Sequence, residues 1–177
     1  CDGHLTLLSF QVAPSESEAS WWGFLSDLKE RGLNGMELLI SDGAAGLVKA
    51  LTALYPRVPQ QRCVIHKVFD LRAALVTPRH WTRLQADAFH IFEAITETEA
   101  RHRLQGFISR WSSLESRAVR VFLRQIESCF TYFRFPPPRH KTLKSTNPVE
   151  RYLEEIRRRL IPMRSFNNSA SVNRIVY

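Results

Sequence analysis

Between residues 4 and 66 the chain alternates strand-length apolar runs with amphipathic segments of helical period, and beyond His66 the alternation stops. HLTLLSFQV (4–12) follows the turn signal Asp2-Gly3 and has the Leu, Phe, Val and Thr content of a strand entered from a hairpin. The next stretch opens with the capping-box pattern Ser15-x-x-Glu18. It repeats apolar residues at Trp21, Trp22, Phe24, Leu25 and Leu28, and stops at Gly32. Met36–Ile40 is a second strand, AAGLVKALTALYP a helix closed before Pro56, and RCVIH (62–66) a third strand. An order of β–α–β–α–β predicts an α/β layer with parallel pairing. From Lys67 to Phe133 only helical periodicity remains, as in Leu84, Ala88, Ile91 and Ile95, then Leu104, Phe107, Ile108 and Trp111. Three or four helices and no strand are expected there. FRFPPPRHKTLKSTNP reads as a linker, because three consecutive prolines cannot occupy a helix interior. A last helix is expected from Pro148 to about Leu160. The chain thus divides into an α/β part (1–66), a helical part (67–138) and a linker with a C-terminal helix (139–177).

Several classes are excluded by length and composition. In 177 residues no apolar run approaches the roughly 18–20 needed to cross a bilayer, and no basic segment precedes an apolar core at the start. Three widely spaced cysteines argue against a disulfide framework and fit a reducing compartment. A soluble cytoplasmic protein without membrane contact is expected. The net charge of +8 is uneven: −3 over residues 1–60, +5 over 61–138 and +5 over 139–164, with Arg174 supplying the last charge. An acidic opening and a basic end suggest a site-bearing core followed by a surface that faces nucleic acid.

Asp42, in Ser-Asp-Gly directly after an apolar run, occupies the place where α/β sheets present ligand-binding side chains. A carboxylate there suits Mg²⁺, and equally an Asx turn or a helix N-cap. Glu150 lies in Ser-Thr-Asn-Pro-Val-Glu-Arg, where Asn147 fits an N-cap, Pro148 the first helical position and Glu150 a capping-box carboxylate. At 100° per residue Val149, Leu153, Ile156 and Leu160 form the expected buried stripe, with Glu150 on its flank. Arg157, Arg158 and Arg159 continue this helix, Arg151 lies within it, and Lys141 and Lys144 precede it. Two carboxylates on Mg²⁺ beside such a basic face would suit phosphodiester chemistry, the basic residues holding the DNA backbone. The alternative for the arginines is a solvated face paired with Glu154 and Glu155. Cys63 and His66 make half of a zinc site at most, so zinc is not expected and a structural or site-supporting pair is. Trp21, Trp22, Trp81 and Trp111 could stack on bases, but their helical contexts favour core packing.

The string SESEASWWGFLSDLKERGLNGMELLISDGAAGLVKAL, then YPRVPQQRCVIH, then STNPVERYLEEIRRR resembles the catalytic domain of Mutator-type transposases of bacterial insertion sequences. The resemblance covers nearly the whole chain. It implies a ribonuclease H-like α/β fold, truncated at its N-terminus and interrupted by an all-helical insertion. It also implies a DDE-type DNA cleavage and strand-transfer reaction that uses two Mg²⁺ ions. Asp42 matches the second acidic residue of the triad, Glu150 the third, and Cys63 and His66 the family's Cys-x-x-His motif, with Asn147 in support. Implied partners are transposon ends, target DNA and further copies of the chain on DNA, in a nucleoid-associated setting. Phe69-Asp70 stands where the family usually has Arg-Asn, and Tyr152-Leu153 where it has Leu-Asn. The first triad Asp belongs on a strand ahead of Asp2-Gly3, so this chain is expected to be inactive alone. Two other readings are a non-catalytic DNA-binding or oligomerisation module left from a decayed element, and a nuclease of the same fold.

Overall fold

The computed structural model describes residues 6–11, 13 and 15–160, the last two by their backbone alone. Among these residues helices dominate, together with one two-stranded parallel sheet, an α/β arrangement. The described residues fall into two compact units, one within Cys1–Glu37, Ala44–Val58 and Thr146–Tyr177, the other within Leu38–Gly43 and Pro59–Ser145. No described helix is long and apolar enough to cross a membrane.

In the first unit, α1 (Glu18–Glu30) packs against α2 (Ala45–Leu54). Its N-cap is Ser17, whose Oγ accepts the Ser20 N–H at 3.2 Å, so the cap falls two residues beyond the expected Ser15. Gly32, at φ +97°, follows the helix end in a conformation that glycine adopts without steric cost. Leu25 and Leu28 are buried, as are Ala50, Leu51 and Tyr55. Lys29 Nζ donates to the Leu54 carbonyl at 2.9 Å, and Lys49 pairs with Glu18 at 3.1 Å. Gly46 allows the close approach, since a Cβ there would lie 2.9 Å from the Glu18 nitrogen.

Residues 6–11, the described part of the expected first strand, form no strand. Apolar composition makes a strand only where a second backbone offers a ladder, and none of the described residues does so here. The Leu8 carbonyl instead accepts from Arg31 Nη2 at 3.4 Å. The C-terminal helix α8 runs Asn147–Leu160, with Ile156 buried, Leu153 half-buried and Val149 59% exposed. The expected stripe therefore does not include Val149.

The second unit holds the sheet. β1 (Leu39–Ser41) pairs in parallel with β2 (Gln60–Arg62), in the register Leu39 with Gln60, Ile40 with Gln61 and Ser41 with Arg62. The strand expected at 62–66 is thus displaced toward the N-terminus, and Val64 begins a helix, α3 (Val64–Ala74). The reason is visible in the core: Val64, Val68 and Leu71 share one helical face and are all buried. Gln61 holds the polar strand in place although it is 1% exposed. Its Nε2 donates to the Cys129 carbonyl at 3.0 Å and its Oε1 accepts the Tyr132 N–H at 2.8 Å.

The helices α4 (Trp81–Phe92), α5 (Glu97–Trp111) and α6 (Ser116–Leu123) complete the helical part without a further strand, as expected. Leu84, Ala88 and Ile91 pack with Leu104, Phe107, Trp111 and Phe122 in one core. Ile95 is 72% exposed because α4 has already ended. Glu115 is wholly buried, accepting the Val76 and Thr77 N–H groups at 2.9 and 3.0 Å and His80 Nδ1 at 2.8 Å.

The proline segment is not a linker. Pro137 opens a short 3₁₀ turn, Pro137–Arg139, and α7 (His140–Leu143) follows. Proline is excluded from helix interiors but is preorganised for their first positions. His140 Nε2 donates to the Phe135 carbonyl at 2.7 Å, and the Lys144 carbonyl accepts the Val64 N–H at 2.9 Å. These bonds tie the segment to its own unit.

Candidate functional site

Asp42 lies immediately beyond the C-terminal end of β1, half-buried, between buried Ser41 and Gly43. The Cys63 N–H donates to the Ser41 carbonyl at 2.7 Å, extending the parallel pairing to the edge of the turn. Gly43 has φ +87°, and a Cβ there would stand 2.5 Å from Arg62 Nε. The positive φ favours glycine, and any side chain there would have to displace the Arg62 guanidinium, so both features restrict what the turn beside Asp42 can hold. The N-cap of α2 is Ala44, so Asp42 is not a helix cap. Its carboxylate stands at the end of a parallel strand, where open sheets bind ligands.

Cys63 and His66 stay together. Cys63 is fully buried at the N-cap position of α3, His66 is in its first turn, and the thiol sulfur and an imidazole nitrogen lie within 4.8 Å. Cys129 is also buried and, like Cys63, forms no disulfide; burial pushes its thiol up to about 12.

Glu150 occupies the first turn of α8, half-buried, in the other unit. Thr146 Oγ1 donates to Glu150 Oε1 at 2.5 Å, while the Glu150 N–H donates to the Thr146 carbonyl at 3.1 Å. Asn147, expected as the N-cap, is the first helical residue and is exposed. Thr146 was not singled out, though a threonine ahead of Asn-Pro is a common helix-start residue.

The basic residues divide in their surroundings. Lys141, Arg151, Arg157 and Arg158 are exposed, Arg158 pairing with Glu155 at 2.9 Å. Lys144 is half-buried and donates to the Phe92 carbonyl at 3.1 Å; burial lowers its pKa. The Arg159 side chain lies outside the described residues. Arg62 and Lys67 were also missed, and both stand close to the sheet. Arg62 Nη2 binds Asp70 at 2.8 Å, and Lys67, 1% exposed, donates to the Val121 and Arg124 carbonyls at 2.9 and 2.8 Å. A lysine within the apolar face Val64–Val68–Leu71 was a readable signal, since a buried ammonium needs such partners.

Over residues 1–177 the chain matches the family described as Transposase, Mutator family. It belongs to that family. Among curated proteins this Mutator-family chain is similar to the transposase for insertion sequence element ISRM5 of Rhizobium meliloti (strain 1021). The two are 38% identical over 99% of this chain and 44% of the relative. It is 35% identical to the transposase for insertion sequence element IS406 of Burkholderia multivorans, over 98% of this chain and 45% of the relative. A third relative is the transposase for insertion sequence element IS256 in transposon Tn4001 of Staphylococcus aureus, 33% identical over 99% of this chain and 45% of its own length. The chain spans less than half the length of these relatives.

Proposed function

We propose that the chain is the catalytic part of a DDE-type transposase, a ribonuclease H-like core carrying a helical insertion, which cuts and joins DNA at the ends of a mobile element. Family membership supports the reaction class, and the placement of Asp42 beyond the C-terminal end of β1, next to a glycine of positive φ, is the observation that carries the site. Asp42 and Glu150 offer hard oxygen donors, which fit Mg²⁺ rather than a soft metal. Bound there, Mg²⁺ would activate the attacking oxygen and stabilise the leaving one.

In this reading Asp42 supplies a carboxylate from the turn that follows β1. Glu150 supplies the second, oriented by the Thr146 hydroxyl at 2.5 Å. Lys141, Arg151, Arg157 and Arg158, all exposed, hold backbone phosphates and give affinity without sequence preference. Cys63 and His66 pack the start of α3 beside the end of the sheet and keep the Asp42 turn in register.

The test is cleavage of DNA carrying the element's ends by a full-length transposase that includes this chain. Asp42→Asn and Glu150→Gln are each expected to slow cleavage by on the order of 10²-fold or more while leaving DNA affinity in place. Cleavage at the parental rate in either variant overturns the assignment.

A further inference from the structure

The second unit carries an open pocket of about 650 Å³ in which four cations, Arg62, Lys67, Arg117 and Arg124, face one carboxylate, Asp70. Two of these cations, Lys67 and Arg62, are buried or half-buried, where charge needs compensation. The internal compensation is incomplete. Asp70 is shared between Arg62 Nη2 at 2.8 Å and Lys67 Nζ at 3.5 Å. Lys67 has spent its three protons on Asp70 and on the Val121 and Arg124 carbonyls, so it adds charge at the pocket floor but no further donor. Burial lowers its pKa, and the nearby Arg62 lowers it further.

The remaining donors are guanidinium groups. Arg62 Nε is buried with no hydrogen-bond partner. Arg117 and Arg124 are exposed, and neither forms a salt bridge among the described residues. Gln125, beside Arg124 on the pocket wall, is the non-glycine residue with positive φ, at 56°, among the described residues. Strain of this kind persists where surrounding structure imposes it. Arg62 also lies against Gly43, so its side chain reaches from the pocket to the turn that carries Asp42.

We infer that this pocket is a phosphate site, filled by a backbone phosphate of the DNA on which the chain acts. Planar guanidinium forks match phosphate oxygens, and a charged floor with exposed arginines at the rim suits an anion that arrives from solvent. The site rests on the proposed transposase reading, which supplies the DNA. It adds a phosphate contact in the helical part, beside the Asp42 turn.

The test measures binding of the full chain to a labelled DNA duplex of random sequence across a salt series. Arg117→Glu/Arg124→Glu is expected to weaken binding and to lower the slope of log K against log salt by about 1, as the loss of one phosphate contact requires. Arg79→Glu/Arg83→Glu makes the same charge change at exposed positions outside the pocket and is expected to cost less. Asp70→Asn removes the competing carboxylate and is expected to tighten binding, a gain that a damaged fold would not produce. Inorganic phosphate, titrated separately, is expected to compete with the duplex in the parent and not in the double arginine variant. Equal losses in the two double variants, or no gain from Asp70→Asn, overturn the site. Phosphate binding in the pocket with unchanged DNA affinity in the Arg117/Arg124 variant overturns its assignment to DNA. A parent chain that binds no duplex overturns both this inference and the transposase reading, whereas the other failures leave that reading standing.

Discussion

Arg62 lies across Gly43 so closely that a methyl group added to the glycine would stand 2.5 Å from Nε. The arginine cannot easily retreat, because Asp70 holds its Nη2 at 2.8 Å. Gly43→Ala therefore meets two obstacles, the φ of +87° and the guanidinium. It is expected to destabilise the chain by about 1–3 kcal/mol. In an Arg62→Ala background the steric part disappears, so the cost of Gly43→Ala should fall. A double-mutant cycle by denaturant unfolding checks this; additive effects would show that the two residues do not restrain each other.

Gln61 satisfies three backbone groups from inside the second unit: the Arg62 and Cys129 carbonyls and the Tyr132 N–H. Gln61→Leu keeps the volume and strands those groups away from water. The expected loss is about 2–3 kcal/mol, or a fall in Tm of roughly 4–10 °C. Thermal unfolding followed by circular dichroism measures it, and an unchanged Tm would mean that the amide is dispensable.

Glu115 links stability to pH. Burial alone would raise its pKa, but the N–H groups of Val76 and Thr77 and the His80 ring stabilise the carboxylate and hold it below the usual 4.5. A depressed carboxylate contributes stability that is fully present above the unfolded-state pKa and is lost as pH falls through the folded-state value. Stability should therefore decline as the medium is acidified below about pH 4.5. Glu115→Gln should cost about 1–3 kcal/mol at neutral pH and flatten that acid limb. Parallel denaturation series from pH 7 to pH 3 would reveal it, and an acid limb of the same slope in the variant would contradict it.

Much of the site region was legible because its signals are local. Ser41-Asp42-Gly43 follows an apolar run, and the structure places it at the end of a parallel strand. The helical part was legible from period alone, as Leu84, Ala88 and Ile91 show. What misled was tertiary. Gln60-Gln61-Arg62 carries no apolar signature, because its buried member is paid for by hydrogen bonds to residues some seventy positions away in the chain. Val64-Ile65 looks like strand on β-branching, yet its period continues through Val68 and Leu71 as a helix. Pro136–Pro138 excludes a helix interior but not a helix start, and the segment folds accordingly.

The proposed roles of Asp42 and Glu150 as Mg²⁺ ligands are tested by paramagnetic broadening with Mn²⁺, which replaces Mg²⁺ at oxygen donors. In amide NMR spectra of the chain, substoichiometric Mn²⁺ is expected to broaden the signals around Asp42 and those around Glu150 together. Asp42→Asn should then protect both regions, as should Glu150→Gln. Broadening at one residue alone, or broadening at both that survives either substitution, would contradict the assignment of these two carboxylates as Mg²⁺ ligands.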